Sequence, residues 1–369
     1  MGDAREADPG PQRGLSGGVG QERRGPVPGW LGVLAEPIYR AAISRRNAAF
    51  DAGRGVTKLD VPVISVGNLS VGGTGKTPMV MHIVGLLLRA GRKPCIAMRG
   101  YAGAGRVGGR RGGDEADAYQ RVFGGGVPIV AQPDRIAGLR EVMGNREAID
   151  CVVLDDGFQH RKIARDLDIV LVDATRPPSG DRLLPAGWLR EPVRSLRRAS
   201  AVVITHAECA SAGELSALKT FVGKEHGRGV LAVTRHLWTG LASSRMGEEV
   251  VLPLDALAGR KMFACCAIGN PAAFVRTLEM TATGVGGRVA GRMVLKDHDP
   301  FAAGTVGRLK EEARRAGADA IVVTDKDWSK LRWAEMPIEV LRPVLTMAFD
   351  EGAEGLERAV LGVAGGWGK

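Results

Sequence analysis

One run constrains this chain more than any other: Val61-Pro-Val-Ile-Ser-Val-Gly-Asn-Leu-Ser-Val-Gly-Gly-Thr-Gly-Lys-Thr-Pro78. Its apolar start reads as a buried strand, its glycines as a tight turn, and Gly75-Lys76-Thr77 as the opening of a helix. Gly72, Gly73, Thr74 and Gly75 let successive backbone N–H groups point into one concavity, and a helix N-terminus adds positive potential there. Lys76 then reaches β- and γ-phosphates, and Thr77 offers its hydroxyl to Mg²⁺. The strict phosphate-loop pattern wants glycine where Ser70 stands. Strand and helix nevertheless flank the loop in the required order, and a plain tight turn has no use for a Lys-Thr pair at its exit. The run predicts a nucleoside triphosphate site.

Such a loop needs a carboxylate at the end of a second strand to orient Mg²⁺ or its water. Asp150-Cys-Val-Val-Leu-Asp155-Asp156 supplies a buried run ending in two acids, followed by Gly157-Phe-Gln159-His160-Arg161. Taken alone, two acids at a strand end are more commonly a solvated turn or a helix cap; coupled to the upstream loop, they read as a metal site. Gln159, His160 and Arg161 add donors suited to phosphate oxygens.

From Val61 onward, short apolar runs bounded by Gly, Asp or Pro alternate with longer charge-bearing segments, the pattern of parallel strands joined by helices. Strands are expected near 61–67, 94–98, 127–131, 150–154, 167–172 and 200–204, and again near 229–234, 262–268, 319–324 and 343–348, with a charged helix around 305–316. The fold expected is α/β: a doubly wound parallel sheet of the P-loop NTPase type over 51–225, and a second, smaller α/β domain over 226–369. Residues 1–28 have almost nothing to bury and predict a disordered tail. In 29–50, Trp30, Leu31, Val33, Leu34, Ile38 and Tyr39 precede Arg40, Arg45 and Arg46, which fits a helix lying in an anionic membrane interface. Because Pro37 interrupts that pattern, an ordinary packed helix is the plainer reading of these residues taken alone.

Fifty-one Lys+Arg against 41 Asp+Glu give a net charge of +10, which suits anionic partners. Few aromatics (3 Tyr, 6 Trp, 8 Phe) and no basic stripe with interleaved rings argue against nucleic acid. The five cysteines form no C-x-x-C pair and read as reduced core residues, neither a disulfide framework nor a zinc site. No run approaches the ~18 apolar residues of a membrane span, and the N-terminus lacks the apolar core of a secretory signal.

The blocks Val66–Pro78 and Asp155-Asp-Gly-Phe-Gln-His160 together resemble the tetraacyldisaccharide 4'-kinase family, the lipid A 4'-kinases. Further family-like blocks follow in the family's order: Arg99-Gly-Tyr101, Gly113-Asp-Glu115, Leu183-Leu-Pro-Ala-Gly-Trp-Leu-Arg-Glu-Pro192, Ile268-Gly-Asn-Pro271, Asp297-His298 and Thr324-Asp-Lys-Asp327. The resemblance implies transfer of the ATP γ-phosphate to the 4'-hydroxyl of a lipid A disaccharide 1-phosphate, with Mg²⁺, at the cytoplasmic face of the inner membrane. It also favours the membrane-interface reading of 29–50, making the protein peripheral or monotopic. Carried over, Lys76 and Thr77 serve nucleotide and metal, Asp155 and Asp156 are the metal-associated acids, and Gln159 and His160 lie beside the transferred phosphate. Asp114 receives the sugar hydroxyl's proton, with His298 as its partner. One positioned carboxylate is sufficient base, because phosphoryl transfer gains mainly from positioning and charge neutralisation.

Two departures stand out. Asp325 replaces the Glu often found there. His206 follows Ile204-Thr205 where the family tends to carry Lys, which leaves the nucleobase preference open. Arg106, Arg110 and Arg111 are candidates for the acceptor's 1-phosphate. The competing function is a nucleotide-dependent switch or metallochaperone-type P-loop NTPase. A switch GTPase should carry an intact [NT]-K-x-D block, and in Thr324-Asp-Lys-Asp327 the lysine comes one place too late. Acyl-chain number and oligomeric state are not fixed by any of these residues.

Overall fold

The computed structural model describes residues 25–27, 29–100, 114–144, 149–245, 248–297 and 299–366. Most of the expected tail, the arginines at 106, 110 and 111, and His298 lie outside them. A helix, α1 (Gly29–Asp51), is followed by the strand–loop–helix unit β1 (Val63–Asn68) and α2 (Lys76–Arg89). Next come β2 (Pro94–Met98), α3 (Asp114–Phe123), β3 (Ile129–Ala131), α4 (Arg135–Gly144), β4 (Cys151–Asp155), β5 (Leu167–Asp173), β6 (Ala201–Thr205) and α5 (Ala212–His226). The second half comprises β7 (Ala232–Arg245), β8 (Glu248–Leu252), β9 (Lys261–Cys266), α6 (Pro271–Gly284), β10 (Arg288–Val294), α7 (Ala303–Arg315), β11 (Ala320–Val323), α8 (Asp325–Leu331), β12 (Glu339–Glu351) and α9 (Ala353–Gly365).

The first-half strands run parallel in the order β3-β2-β4-β1-β5-β6. Every residue of β1, β4 and β5 is buried, as expected of strands covered by helices on both faces. Alternation along β5 divides the two cores: Leu167, Ile169 and Leu171 face α2 and α9, while Val170 and Val172 face Phe158 and α5. All five cysteines are buried and free, four of them in β2, β4 and β9.

The two halves share one 12-stranded sheet. The start of β7 pairs parallel with β6, and the long antiparallel ribbon β7·β12 carries the sheet into a second parallel set, β12-β11-β9-β10. The chain then returns: Leu356, Val360 and Ala364 of α9 join the core around α2. Two strands escaped the sequence reading. In β10 only Met293 is buried along Arg288–Val294, and β8 opens with Glu248-Glu249, so neither carries the apolar run by which buried strands are recognised.

In α1 the helix continues through Pro37. Gly32 and Glu36 are its buried residues, whereas Trp30, Leu34 and Ile38 are 69%, 64% and 75% exposed. Glu36 pairs with Arg40 and Arg182, and Asn47 donates to Glu191, so α1 is fastened by polar contacts and leaves an apolar stripe uncovered.

Candidate active site

Gly75 caps α2 in the left-handed region, φ 79°, where a Cβ would be strained, and Lys76 opens the helix. Around Gly73 a side chain would meet only open space, leaving room for a phosphate against the backbone. Thr205 Oγ1 donates to the Thr74 carbonyl at 3.0 Å and so fixes the loop's exit to the end of β6.

Lys76 Nζ lies 3.4 Å from Asn68 Oδ1 and 3.6 Å from Asp156 Oδ1. The parallel register Val66↔Asp155 brings the acidic pair alongside the phosphate loop, although 80 residues of chain separate Lys76 from Asp156. Asp155 ends β4 and is buried; Tyr119 on α3 donates to its Oδ2 at 2.8 Å, while its Oδ1 has no hydrogen-bond partner among the described residues. Burial raises its carboxyl above the ordinary value, against the pull of Lys76 and Tyr119. Asp156, with φ 51°, turns the other way. Arg190 Nη1 grips both of its oxygens at 2.9 and 2.8 Å. Burial alone would raise this carboxyl, but Lys76 and Arg190 together hold it below its ordinary range.

Gln159 donates to the Asn68 carbonyl at 2.9 Å and lies 3.4 Å from Arg190. His160 is pushed down to about 4, first by burial and then by Arg135, Arg165 and Lys162. It is therefore neutral near pH 7, and its Nε2 is buried without a hydrogen-bond partner among the described residues. Asp114 is the first residue of α3. The sequence reading missed Tyr119, Asn68 and Arg190 as individual site residues. The last two lie inside blocks already singled out, whereas Tyr119 carries no local signal.

These groups fit a magnesium-nucleotide. Mg²⁺ is usually held by one or two carboxylates together with phosphate oxygens and water, and Asp155 has an unpartnered buried oxygen to offer. No cluster of three or more His, Cys, Asp or Glu side chains suited to an all-protein metal cage occurs among the described residues.

The second half reaches the same loop. Asn270 Nδ2 donates to Thr175 Oγ1 at 2.6 Å and to Asp173 Oδ2 at 3.1 Å. A Cβ on Gly269 would stand 2.9 Å from Gly72 Cα and 3.0 Å from Gly73 N, so only glycine allows this approach. His206 packs edge-on against His236, with ring centroids 4.5 Å apart, and its Nδ1 is 3.1 Å from Asp173.

The sequence profile of the family described as tetraacyldisaccharide-1-P 4'-kinase matches residues 29–362. The chain belongs to that family. The tetraacyldisaccharide 4'-kinase of Anaeromyxobacter dehalogenans strain 2CP-C is 37% identical over 326 residues, covering 84% of each chain. That of Chlorobaculum tepidum is 33% identical over 354 residues, covering 89% of this chain and 96% of its own. A crystal structure of LpxK from Aquifex aeolicus in complex with ATP superposes with a TM-score of 0.65 at 31% identity, covering 90% of this chain and 98% of that one. This family member is thus a kinase, a phosphotransferase acting on an alcohol group in lipid A biosynthesis, with a P-loop kinase fold. The matches do not favour the switch-protein alternative.

Proposed function

We propose that the protein transfers the γ-phosphate of ATP to the 4'-hydroxyl of a lipid A disaccharide 1-phosphate, with Asp114 accepting the hydroxyl proton and His298 as its partner. The observation that carries this reading is the meeting of Lys76, Asp155, Asp156 and Gln159 around one loop, within a chain matched by the family over 29–362. The acceptor oxygen bonds to the γ-phosphorus as the bond to the β-γ bridging oxygen breaks, and ADP leaves. Gly72–Gly75 and Lys76 bind and orient the phosphates. Thr77 and Asp155 are the residues that would hold Mg²⁺, with Asp156 beside them, and the ion supplies charge neutralisation at the phosphate oxygens. His160, being neutral, can donate or accept a hydrogen bond there without adding a charge.

The two halves, 51–225 and 226–369, act as two lobes except that α9 returns onto the first, and the acceptor enters between them. The uncovered stripe Trp30, Leu34 and Ile38 of α1 lies in the interface of an anionic membrane, with the exposed Arg45 toward the headgroups, whereas Arg46 turns inward to Glu191. No helix among the described residues is long and apolar enough to cross a membrane, in keeping with peripheral attachment at the cytoplasmic face of the inner membrane. The test is incubation with γ-labelled ATP, Mg²⁺ and detergent-dispersed lipid A disaccharide 1-phosphate. Label at the 4'-position is the expected product. Phosphate release with no label in the lipid would sink this reading.

A further inference from the structure

The block Thr324-Asp-Lys-Asp327 lies outside the phosphate loop, and its four side chains are all engaged in contacts within the protein. Thr324 caps α8, accepting from Asp327 N at 3.2 Å, and its hydroxyl donates to Asp327 Oδ2 at 2.7 Å. That same buried Oδ2 accepts from Ala267 N at 3.0 Å. Asp327 thereby ties α8 to the 267–270 loop, which meets the phosphate loop through Gly269. Asp325 points the other way: it takes Arg121 Nη2 of α3 at 2.5 Å and Arg342 Nη1 of β12 at 2.7 Å. Arg342 is itself buried and also paired with Glu249.

Arg121 stands seven residues after Asp114, two helical turns on, so the two positions share one stripe of α3. On the opposite side, Lys326 Nζ lies 3.2 Å from Asp297 Oδ1, and Lys330 Nζ donates to the Asp299 carbonyl at 2.9 Å. The two lysines, one turn apart on α8, thus hold both chain neighbours of position 298.

We propose that α8 is a positioning platform for proton transfer: Asp325 fixes helix α3, with Asp114 at its start, and Lys326 and Lys330 fix the segment carrying position 298. The proposal rests on the reading of Asp114 and His298 as the proton-accepting pair. Asp325, Lys326 and Lys330 are positioning residues and touch no substrate. The half-exposed Arg121–Asp325 pair contributes only about 0–1 kcal/mol to stability. A misplacement of about 1 Å between reacting groups, by contrast, can lower a rate about a hundredfold.

The experiment is steady-state 4'-kinase kinetics on the full chain with Asp325→Asn, Lys326→Met, Asp114→Ala and the two doubles that combine Asp114→Ala with a platform variant. Asp325→Asn and Lys326→Met should each lower kcat about tenfold while leaving KM for ATP near wild type, and Lys326→Met should also leave the thermal midpoint unchanged. Asp325→Glu and Lys326→Arg should restore most of the rate. Each double should be no slower than Asp114→Ala alone, since the platform acts through that residue. Should Asp325→Asn fail to fold, Arg121→Gln removes the same contact from the α3 side.

Wild-type kcat in the platform variants, with Asp114→Ala crippled, overturns the platform and leaves the base intact. Losses that add to that of Asp114→Ala overturn it as well. If Asp114→Ala itself keeps wild-type kcat, the base reading falls and the platform falls with it.

Discussion

Arg190 holds both oxygens of Asp156 at 2.8 and 2.9 Å from a loop that runs behind the phosphate cradle. Its backbone is held in turn: Arg190 N donates to Leu69 O at 2.8 Å, and Tyr39 of α1 donates to the Arg190 carbonyl at 2.9 Å. The N-terminal helix and the acidic pair are therefore joined through one residue. Replacing Arg190 with Ala removes one of the three cations, with Lys76 and Arg135, that keep Asp156 ionised, so its pKa rises. The acidic limb of the pH–rate profile should move to higher pH, with kcat/KM down about tenfold at neutral pH. An unmoved limb would show that another group sets it.

Tyr119→Phe deletes the only hydrogen bond described for the Asp155 carboxyl, which burial already raises. The proton is then held more tightly and competes better with Mg²⁺. A titration of activity against Mg²⁺ should show the requirement rising about tenfold, as for lost second-sphere support at other metal sites, at a stability cost of about 1 kcal/mol.

Gly269→Ala forces the 267–270 loop and the phosphate loop apart, because backbone atoms stand at 2.9 and 3.0 Å from the new methyl. Overpacking of this kind costs about 1–3 kcal/mol. The expected reading is a raised KM for ATP together with a lower thermal midpoint.

The buried His206–Asp173 pair makes stability depend on pH. Burial lowers the His206 pKa, but the Asp173 hydrogen bond and charge outweigh it, and the net shift is upward. For Asp173, burial is likewise outweighed by His206 and Thr175, and the net shift is downward. The histidine's contribution is fully present below its unfolded value of about 6.5 and is lost as pH rises through the higher folded value. That of the aspartate is present above about 3.9 and is lost as pH falls through the lower folded value. Chemical denaturation of wild type and His206→Gln should therefore differ by about 1.5–3 kcal/mol near pH 6, and by less at pH 9. An equal gap at both values would mean that the pair is not ionised.

Membrane attachment through α1 is tested with Leu34→Glu and Ile38→Glu, two positions 64% and 75% exposed. Each aliphatic side chain is worth about 1.5–3 kcal/mol on burial. The double variant should fall at least about tenfold in co-sedimentation with anionic phospholipid vesicles while keeping its rate on detergent-dispersed acceptor. Undiminished sedimentation would place the contact elsewhere.

The phosphate loop, the strand-end acids and most of the parallel strands are written locally. A fully buried strand needs a continuous apolar run, and a phosphate cradle needs glycines at fixed positions beside a helix start. Residues 61–78 and 150–160 therefore declare themselves without reference to the rest of the chain. Edge strands β8 and β10 do not, since an exposed strand needs no such run. What only the tertiary structure decided is which distant side chains complete the site. Tyr119 reaches Asp155 across 36 residues, Arg190 reaches Asp156 across 34, and Arg121 reaches Asp325 across 204. Strand order and register make those pairs: β1 lies between β4 and β5, and β7·β12 folds the second half back toward α3 and the phosphate loop. A single tyrosine or arginine on a helix has no sequence pattern that names its partner, because the partner is set by packing and not by spacing.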